Sequence, residues 1–202
     1  MEPVIVFDFD KTLTYKDTIL DFFIFCSKKN FLFFLRLLFY FFLTILLKFR
    51  VINNGLIKEL GIKLFLSHLK SEELELLCKN FSKGIKLNKI YYNDFLKIHP
   101  DSIIVSSSFI EYLKYIFPNN LVIASKIKFK ENKPVGLSFN CYGIEKRVKL
   151  NEIGIENIDV LYTDSISDLS IVKISKKIFL VKCDSLVFCR TTEEFLEQLK
   201  SM

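Results

Sequence analysis

The chain has 202 residues, a formal charge of +6 and a mean hydropathy of +0.29, enough for one catalytic domain with its own core and a modest insertion. Two histidines, His68 and His99, argue against a histidine-based hydrolase and are expected to be surface or packing residues. Five cysteines (Cys26, Cys78, Cys141, Cys183, Cys189) form no CxxC pair, which argues against a zinc site or a disulfide framework and predicts free thiols in a reducing compartment.

The chain opens Met1-Glu2-Pro3 and enters an apolar run too short, and without the basic start, for a signal peptide; its chemistry is expected on the cytoplasmic side. Val4–Phe7 predicts a buried strand: short, β-branched and bounded by polar residues. At its carboxyl end stands Phe7-Asp8-Phe9-Asp10-Lys11-Thr12-Leu13-Thr14. In an open α/β sheet that end is where ligands bind. Strand alternation would aim Asp8 and Asp10 alike, and adjacent carboxylates repel unless a cation or a shared proton relieves them. DxD alone is weak, but DxDxT after four apolar residues points to chemistry.

From about Tyr15 to Leu87 the pattern turns helical. Asp17–Cys26 would start with Asp17 as N-cap, Phe31–Leu47 is strongly apolar, and Leu56–Leu66 and Ser71–Phe81 are amphipathic, the last with Ser71 as cap and Glu72 and Glu73 in its first turn. No acidic residue lies between Asp21 and Glu59, and Lys28, Lys29, Arg36, Lys48, Arg50 and Lys58 in that interval match the whole net excess. Interleaved with ten of the 22 phenylalanines, these charges suit an anionic membrane surface better than nucleic acid. Phe31–Leu47 has seventeen residues and one charge, Arg36. That is short of the ~20 apolar residues of a span. Arg36, Tyr40, Thr44 and Lys48 would form a polar stripe, so a helix lying in the interface is favoured over a span. The competing reading is an ordinary core helix.

Beyond Leu87, strand-like runs at Ser102–Val105, Leu121–Ala124, Asp159–Tyr162 and Ile178–Val181 alternate with helical patterns at Ile110–Ile116, Glu145–Ile153 and Ile166–Ile174, and Ile127–Ser138 reads as a hairpin. The predicted fold is α/β, a Rossmann-like parallel sheet with a helical cap after the first strand. The core is placed at 1–14 and 88–202 and the cap at 15–87. Ser106 and Ser107 end a predicted strand, where a hydroxyl and free N–H groups at a helix start would cradle an anion. Lys146 or its rival Lys149 would reach a phosphate. Asp164 and Asp168 flank a turn after Tyr162; with Asp8 and Asp10 they would converge as an all-oxygen site suited to Mg²⁺.

The order DxDxT, strand-end Ser, Lys, then Asp-Ser-x-x-x-Asp resembles the haloacid dehalogenase superfamily over essentially the whole chain. The insertion resembles the subclass that includes phosphoserine phosphatases, and the layout is similar to the phosphatidylglycerophosphatase C family in the greasy cap helix, Asn120–Ser125 and Cys141–Lys146. The resemblance implies Asp8 as nucleophile and Asp10 as general acid/base. It implies Ser106 and Lys146 as phosphate ligands, Asp164 and the Asp10 carbonyl as metal ligands beside Asp8, and Asp168 as a supporting acid. Lys11 and Thr163 stand where glycine is usual in the family, and Thr163 would narrow the space beside the metal.

The expected activity is Mg²⁺-dependent phosphomonoester hydrolysis through an aspartyl phosphate, on a membrane lipid phosphate such as phosphatidylglycerophosphate. The alternatives are a soluble phosphatase for a metabolite such as phosphoserine, and a non-catalytic membrane-binding module. The expected location is the cytoplasmic face of a membrane or, under the soluble reading, the cytoplasm.

Overall fold

Seven strands make one sheet in the computed structural model: β1 (Ile5–Phe7), β2 (Ile103–Phe109), β3 (Val122–Lys130), β4 (Lys133–Phe139), β5 (Ile158–Thr163), β6 (Ser175–Lys182) and β7 (Ser185–Cys189), in the order β4-β3-β2-β1-β5-β6-β7. The model describes residues 3–49 and 51–201. Met1 and Glu2 of the amino-terminal reading and Arg50 of the basic patch lie outside the described residues, as does Met202.

Parallel pairing joins β3, β2, β1, β5 and β6, and antiparallel β4 and β7 finish the two edges. The predicted α/β class is therefore the observed one. The central strand β1 has β2 on one side and β5 on the other, so the strand order reverses there and a crevice opens at its carboxyl end. The predicted hairpin is longer than expected. Its β3–β4 turn places Glu131 and Asn132 at φ 49° and 61°, the left-handed pair that a two-residue hairpin turn requires.

Helices α6 (Ile110–Ile116), α7 (Ile144–Glu152) and α8 (Leu169–Val172) connect strands, α9 (Thr192–Lys200) follows β7, and a 3₁₀ turn at Ile166–Asp168 precedes α8. The predicted helix over Ile166–Ile174 breaks into that turn and α8, because the Ser165 and Asp168 side chains take local and site partners. Sequence patterning missed β7 and α9.

Between β1 and β2 lie α1 (Ile19–Cys26), α2 (Phe31–Lys48), α3 (Asn54–Phe65), α4 (Ser71–Gly84), a π-helical turn at Tyr91–Phe95 and α5 (Leu96–Ile98). Asn30 and Asn53 cap α2 and α3 by accepting the Phe33 and Leu56 N–H groups. Two expected caps are corrected. Thr18, not Asp17, precedes α1, and Asp17 instead pairs with Lys11 at 2.6 Å. Ser71 is already helical; the Lys70 N–H donates to the Glu73 carboxylate at 2.8 Å, so the acidic first turn closes α4 without a serine hydroxyl.

The insertion shares its core with the sheet. Phe22 and Phe23 of α1 pack against Phe109 and Tyr112, and one apolar cluster runs from Phe7 through Phe65 to Phe117. The chain enters and leaves the insertion where Thr14 and Leu87 form an isolated bridge, and Asn88 donates to the Thr12 carbonyl at 2.9 Å.

Helix α2 sits on this body by a narrow seam: Phe33, Tyr40 and Leu43 are buried, with Tyr40 edge-on to Phe23 and Phe65. The expected polar stripe is thus corrected, because Tyr40 belongs to the buried seam while Arg36 and Lys48 are exposed. The outward face is apolar, with Phe31, Phe34, Leu38, Phe39, Phe41 and Phe42 all exposed and only 17% of the helix buried.

Candidate active site

Because β1 ends at Phe7, Asp8 is the first residue past the central strand, anchored there by its N–H on the Tyr162 carbonyl at 2.9 Å. Its Oδ1 accepts from Lys146 Nζ at 2.7 Å, and Thr12 Oγ1 lies 3.4 Å from its other oxygen. Lys146 is 1% exposed and also pairs with Asp168, which is fully buried. Burial alone would lower the Lys146 ammonium, but Asp168 and Asp8 outweigh it and hold it above the ordinary lysine range. Thr163 donates to the other Asp168 oxygen at 2.7 Å, so this departure from glycine orients the Asp168 carboxylate. Lys149 lies elsewhere, paired with Glu152 and set against the Phe139 ring. The structure thus brings Lys146 to Asp8 and leaves Lys149 at the surface.

Asp10 takes a different set of partners from Asp8. The alternation that would align them stops with the strand, and Lys11 turns the chain at φ 57°, the backbone state that makes glycine common there. The Asp10 carboxylate accepts Thr18 N–H at 2.9 Å, Thr18 Oγ1 at 2.7 Å and Ser108 Oγ on its other oxygen. Burial raises it to about 6 in spite of the Ser108 and Thr18 hydrogen bonds. Thr18, Ser108 and Tyr112, whose hydroxyl meets Thr18 at 2.7 Å, were missed in the sequence. Thr18 carried a signal, a hydroxyl at a predicted helix start.

The serine segment also differs from expectation. Ser106–Ser108 remain in β2, and α6 starts only at Ile110. A register shift against β3 between Ser106 and Phe109 supplies the irregular backbone in place of a helix start. Ser106 is buried and accepts the Ser108 N–H at 3.0 Å, while the Ser107 carbonyl accepts from Lys58. Lys58 is therefore removed from the surface basic patch.

Four converging carboxylates are not observed. Among the described residues no group of three or more His, Cys, Asp or Glu side chains stands together as a metal cluster. Lys146 pairs with Asp8 and Asp168, and the charge of Asp164 also acts on Asp8. Burial pushes Asp8 well above the ordinary carboxylate range, against Lys146 and helped by Asp168 and Asp164. Asp164 is pushed up to about 7 by burial and then by Asp168. A hard cation against Asp8 and Asp164 would relieve both, and carboxylate oxygens are the donor type that fits Mg²⁺.

The family model for haloacid dehalogenase-like hydrolases matches residues 5–173. The chain belongs to this family. No curated protein gives a significant sequence match. A solved complex of phosphoserine phosphatase with its substrate superposes with a TM-score of 0.63 at 18% identity, over 98% of this chain and 99% of that one. A phospho-aspartyl intermediate analogue of phosphoserine phosphatase gives 0.60 at 18% identity, with the same coverage. A family hydrolase from Salmonella enterica subsp. enterica serovar Typhi gives 0.61 at 13% identity over 86% of this chain; the present chain spans 60% of its length. These likenesses show the shared fold. The enzyme class expected from the motifs, a phosphatase of this superfamily, agrees with the family match.

Proposed function

We propose that the protein is a phosphomonoester hydrolase in which Asp8 becomes transiently phosphorylated and the substrate is a phosphorylated lipid at a membrane surface. The observation that carries the chemistry is Asp8 at the carboxyl end of the central strand, ion-paired with buried Lys146. Asp8 attacks phosphorus in line, and the bond to the leaving oxygen breaks as the aspartyl phosphate forms. Asp10, held apart on Thr18 and Ser108, gives its proton to the leaving oxygen and then takes one from the attacking water. Lys146 and the Ser106 hydroxyl stabilise the phosphoryl oxygens. Asp8, Asp164 and the Asp10 carbonyl would hold Mg²⁺, which supplies further charge neutralisation when bound.

The lipid reading is supported by the outward face of α2. An ordinary core helix buries its apolar residues, and this one leaves most of them outside, with Lys28, Lys29, Arg36 and Lys48 alongside. That arrangement suits a layer of anionic headgroups, which would put the enzyme on the cytoplasmic face of a membrane, and the phosphatidylglycerophosphatase C-like layout agrees with it. A second reading, a soluble phosphatase for a phosphoserine-like metabolite, is favoured by the match to phosphoserine phosphatase along nearly the whole chain.

Mg²⁺-dependent phosphate release from phosphatidylglycerophosphate in mixed micelles, with phosphoserine in parallel, separates the two. Release from the lipid, lost in Asp8→Asn and accompanied by binding to anionic vesicles that Phe34→Glu and Leu38→Glu weaken, is the expected result. Release from phosphoserine alone, without vesicle binding, would select the second reading. Undiminished turnover by Asp8→Asn would sink the mechanism.

A further inference from the structure

Lys58 is a buried cation that the reaction above leaves unused. It sits on α3 among Ile57, Gly61 and Ile62 and is 1% exposed. Its Nζ donates to the Ser107 carbonyl at 2.6 Å, to Asn140 Oδ1 at 2.8 Å and to Ser125 Oγ at 3.1 Å. Three ammonium donors thus meet three neutral oxygens, from β2, β3 and the segment after β4. Lys146, the other buried lysine among the described residues, has two carboxylates; Lys58 has no ion pair with any described residue. Burying an ammonium without an anion is unfavourable, and an apolar side chain would fill the same position without that cost. Burial does push Lys58 down, to about 7, with Lys146 adding to the effect and Cys141 and Asp10 opposing it.

The Ser107 carbonyl also accepts from Ser125 Oγ at 2.8 Å. Two donors on one carbonyl polarise the Ser107–Ser108 peptide and strengthen its N–H as a donor. That N–H occupies the Ser106 hydroxyl as an acceptor at 3.0 Å, leaving the Ser106 O–H to donate to a ligand. The Ser108 hydroxyl, on the same peptide unit's far side, donates to Asp10. One peptide therefore carries both the phosphate-facing serine and the clamp on the acid/base carboxylate, and a residue of the helical insertion holds it.

We propose that Lys58 is a positioning residue: seated from the insertion onto the Ser107 carbonyl, it locks the Ser107–Ser108 peptide so that Ser106 presents its hydroxyl to the phosphoryl group and Ser108 holds Asp10. Phosphoryl chemistry is thereby coupled to seating of the helical insertion on the sheet. This inference rests on the phosphatase reading of Ser106 and Asp10.

The test uses the full chain, p-nitrophenyl phosphate as substrate and orthophosphate as competing ligand. Lys58→Met should keep its circular dichroism, lose about tenfold or more in kcat, as small misplacements of reacting groups do, and bind orthophosphate more weakly. Phe195→Leu, a variant destabilised in α9 away from the insertion, should keep kcat and orthophosphate affinity, so that lost stability alone is separated from lost positioning. A folded Lys58→Met with unchanged kcat and orthophosphate affinity overturns the proposal. If Lys58→Met does not fold, Ser125→Ala, which removes the second donor to the same carbonyl, decides: a smaller loss in the same two quantities supports the proposal and no loss overturns it. A wild type that hydrolyses no phosphomonoester overturns the phosphatase reading and this inference together, whereas an active wild type with an unaffected variant overturns this inference alone.

Discussion

At the residue scale, the buried charges fall into two kinds. Lys146 serves both Asp8 and Asp168, and removing it leaves two carboxylates in the interior without their cation. Glu111 is of the other kind. One oxygen accepts the Ile127 N–H at 2.8 Å, while Oε2 is buried without a partner. Burial raises its carboxyl above the ordinary range, against that hydrogen bond. The folded state therefore holds the proton more tightly than the unfolded chain, and stability falls as pH rises from the unfolded value through the folded one. Glu111→Gln lacks this titration. It should match the wild type near pH 4 and exceed it by about 1 kcal/mol at pH 8, the usual cost of an unsatisfied buried group. Urea melts at the two pH values check this; a gap that shrinks with pH would show that the Glu111 charge is compensated in the folded protein.

At the element scale, the seat of α2 depends on a single absent side chain. A Cβ at Gly61 would stand 2.3 Å from a ring carbon of Phe23 and 3.0 Å from one of Tyr40. Glycine lets α1, α2 and α3 meet around these aromatic rings, at the expense of helix propensity. Gly61→Ala should improve propensity by up to about 1 kcal/mol, yet overpacking of about 1–3 kcal/mol outweighs it. The expected outcome is a lower Tm, and a raised Tm would mean that the rings have room to move. The same seam explains why α2 presents its phenylalanines outward: only the strip through Phe33, Tyr40 and Leu43 faces the body.

At the scale of the whole molecule, the sheet, its switch point and the insertion bring carboxylates from distant parts of the chain to one crevice. Their repulsion makes the folded state a better cation ligand than the unfolded chain. Mg²⁺ should therefore raise Tm, by the equivalent of about 2.7 kcal/mol at a hundred times its Kd, and EDTA should reverse the rise and abolish hydrolysis. Asp164→Asn should lose most of the Mg²⁺-induced shift. An equal shift in that variant would place the cation elsewhere.

The sequence by itself determined the sheet-and-helix alternation and the apolar insertion and pointed to Asp8, Asp10, Ser106, Asp164 and Asp168 as residues to watch, because hydrophobic period and strand-end motifs are local signals. Resemblance preferred Lys146 over Lys149, and geometry brings Lys146 to Asp8. Strand β7 and the caps of α1 and α4 were not legible, since a half-exposed edge strand and caps carry weak patterns, whereas α9 had a readable start in Thr191 and its acidic first turn and was overlooked. Only the tertiary structure decided which way Asp10 faces, because that depends on where β1 stops and on hydroxyls of Thr18 and Ser108, ninety residues apart in the chain. It likewise decided that Lys58 is inside and the phenylalanines of α2 are outside. A side chain's charge or hydropathy states what its burial costs or gains, and the packing of distant segments determines whether it is buried.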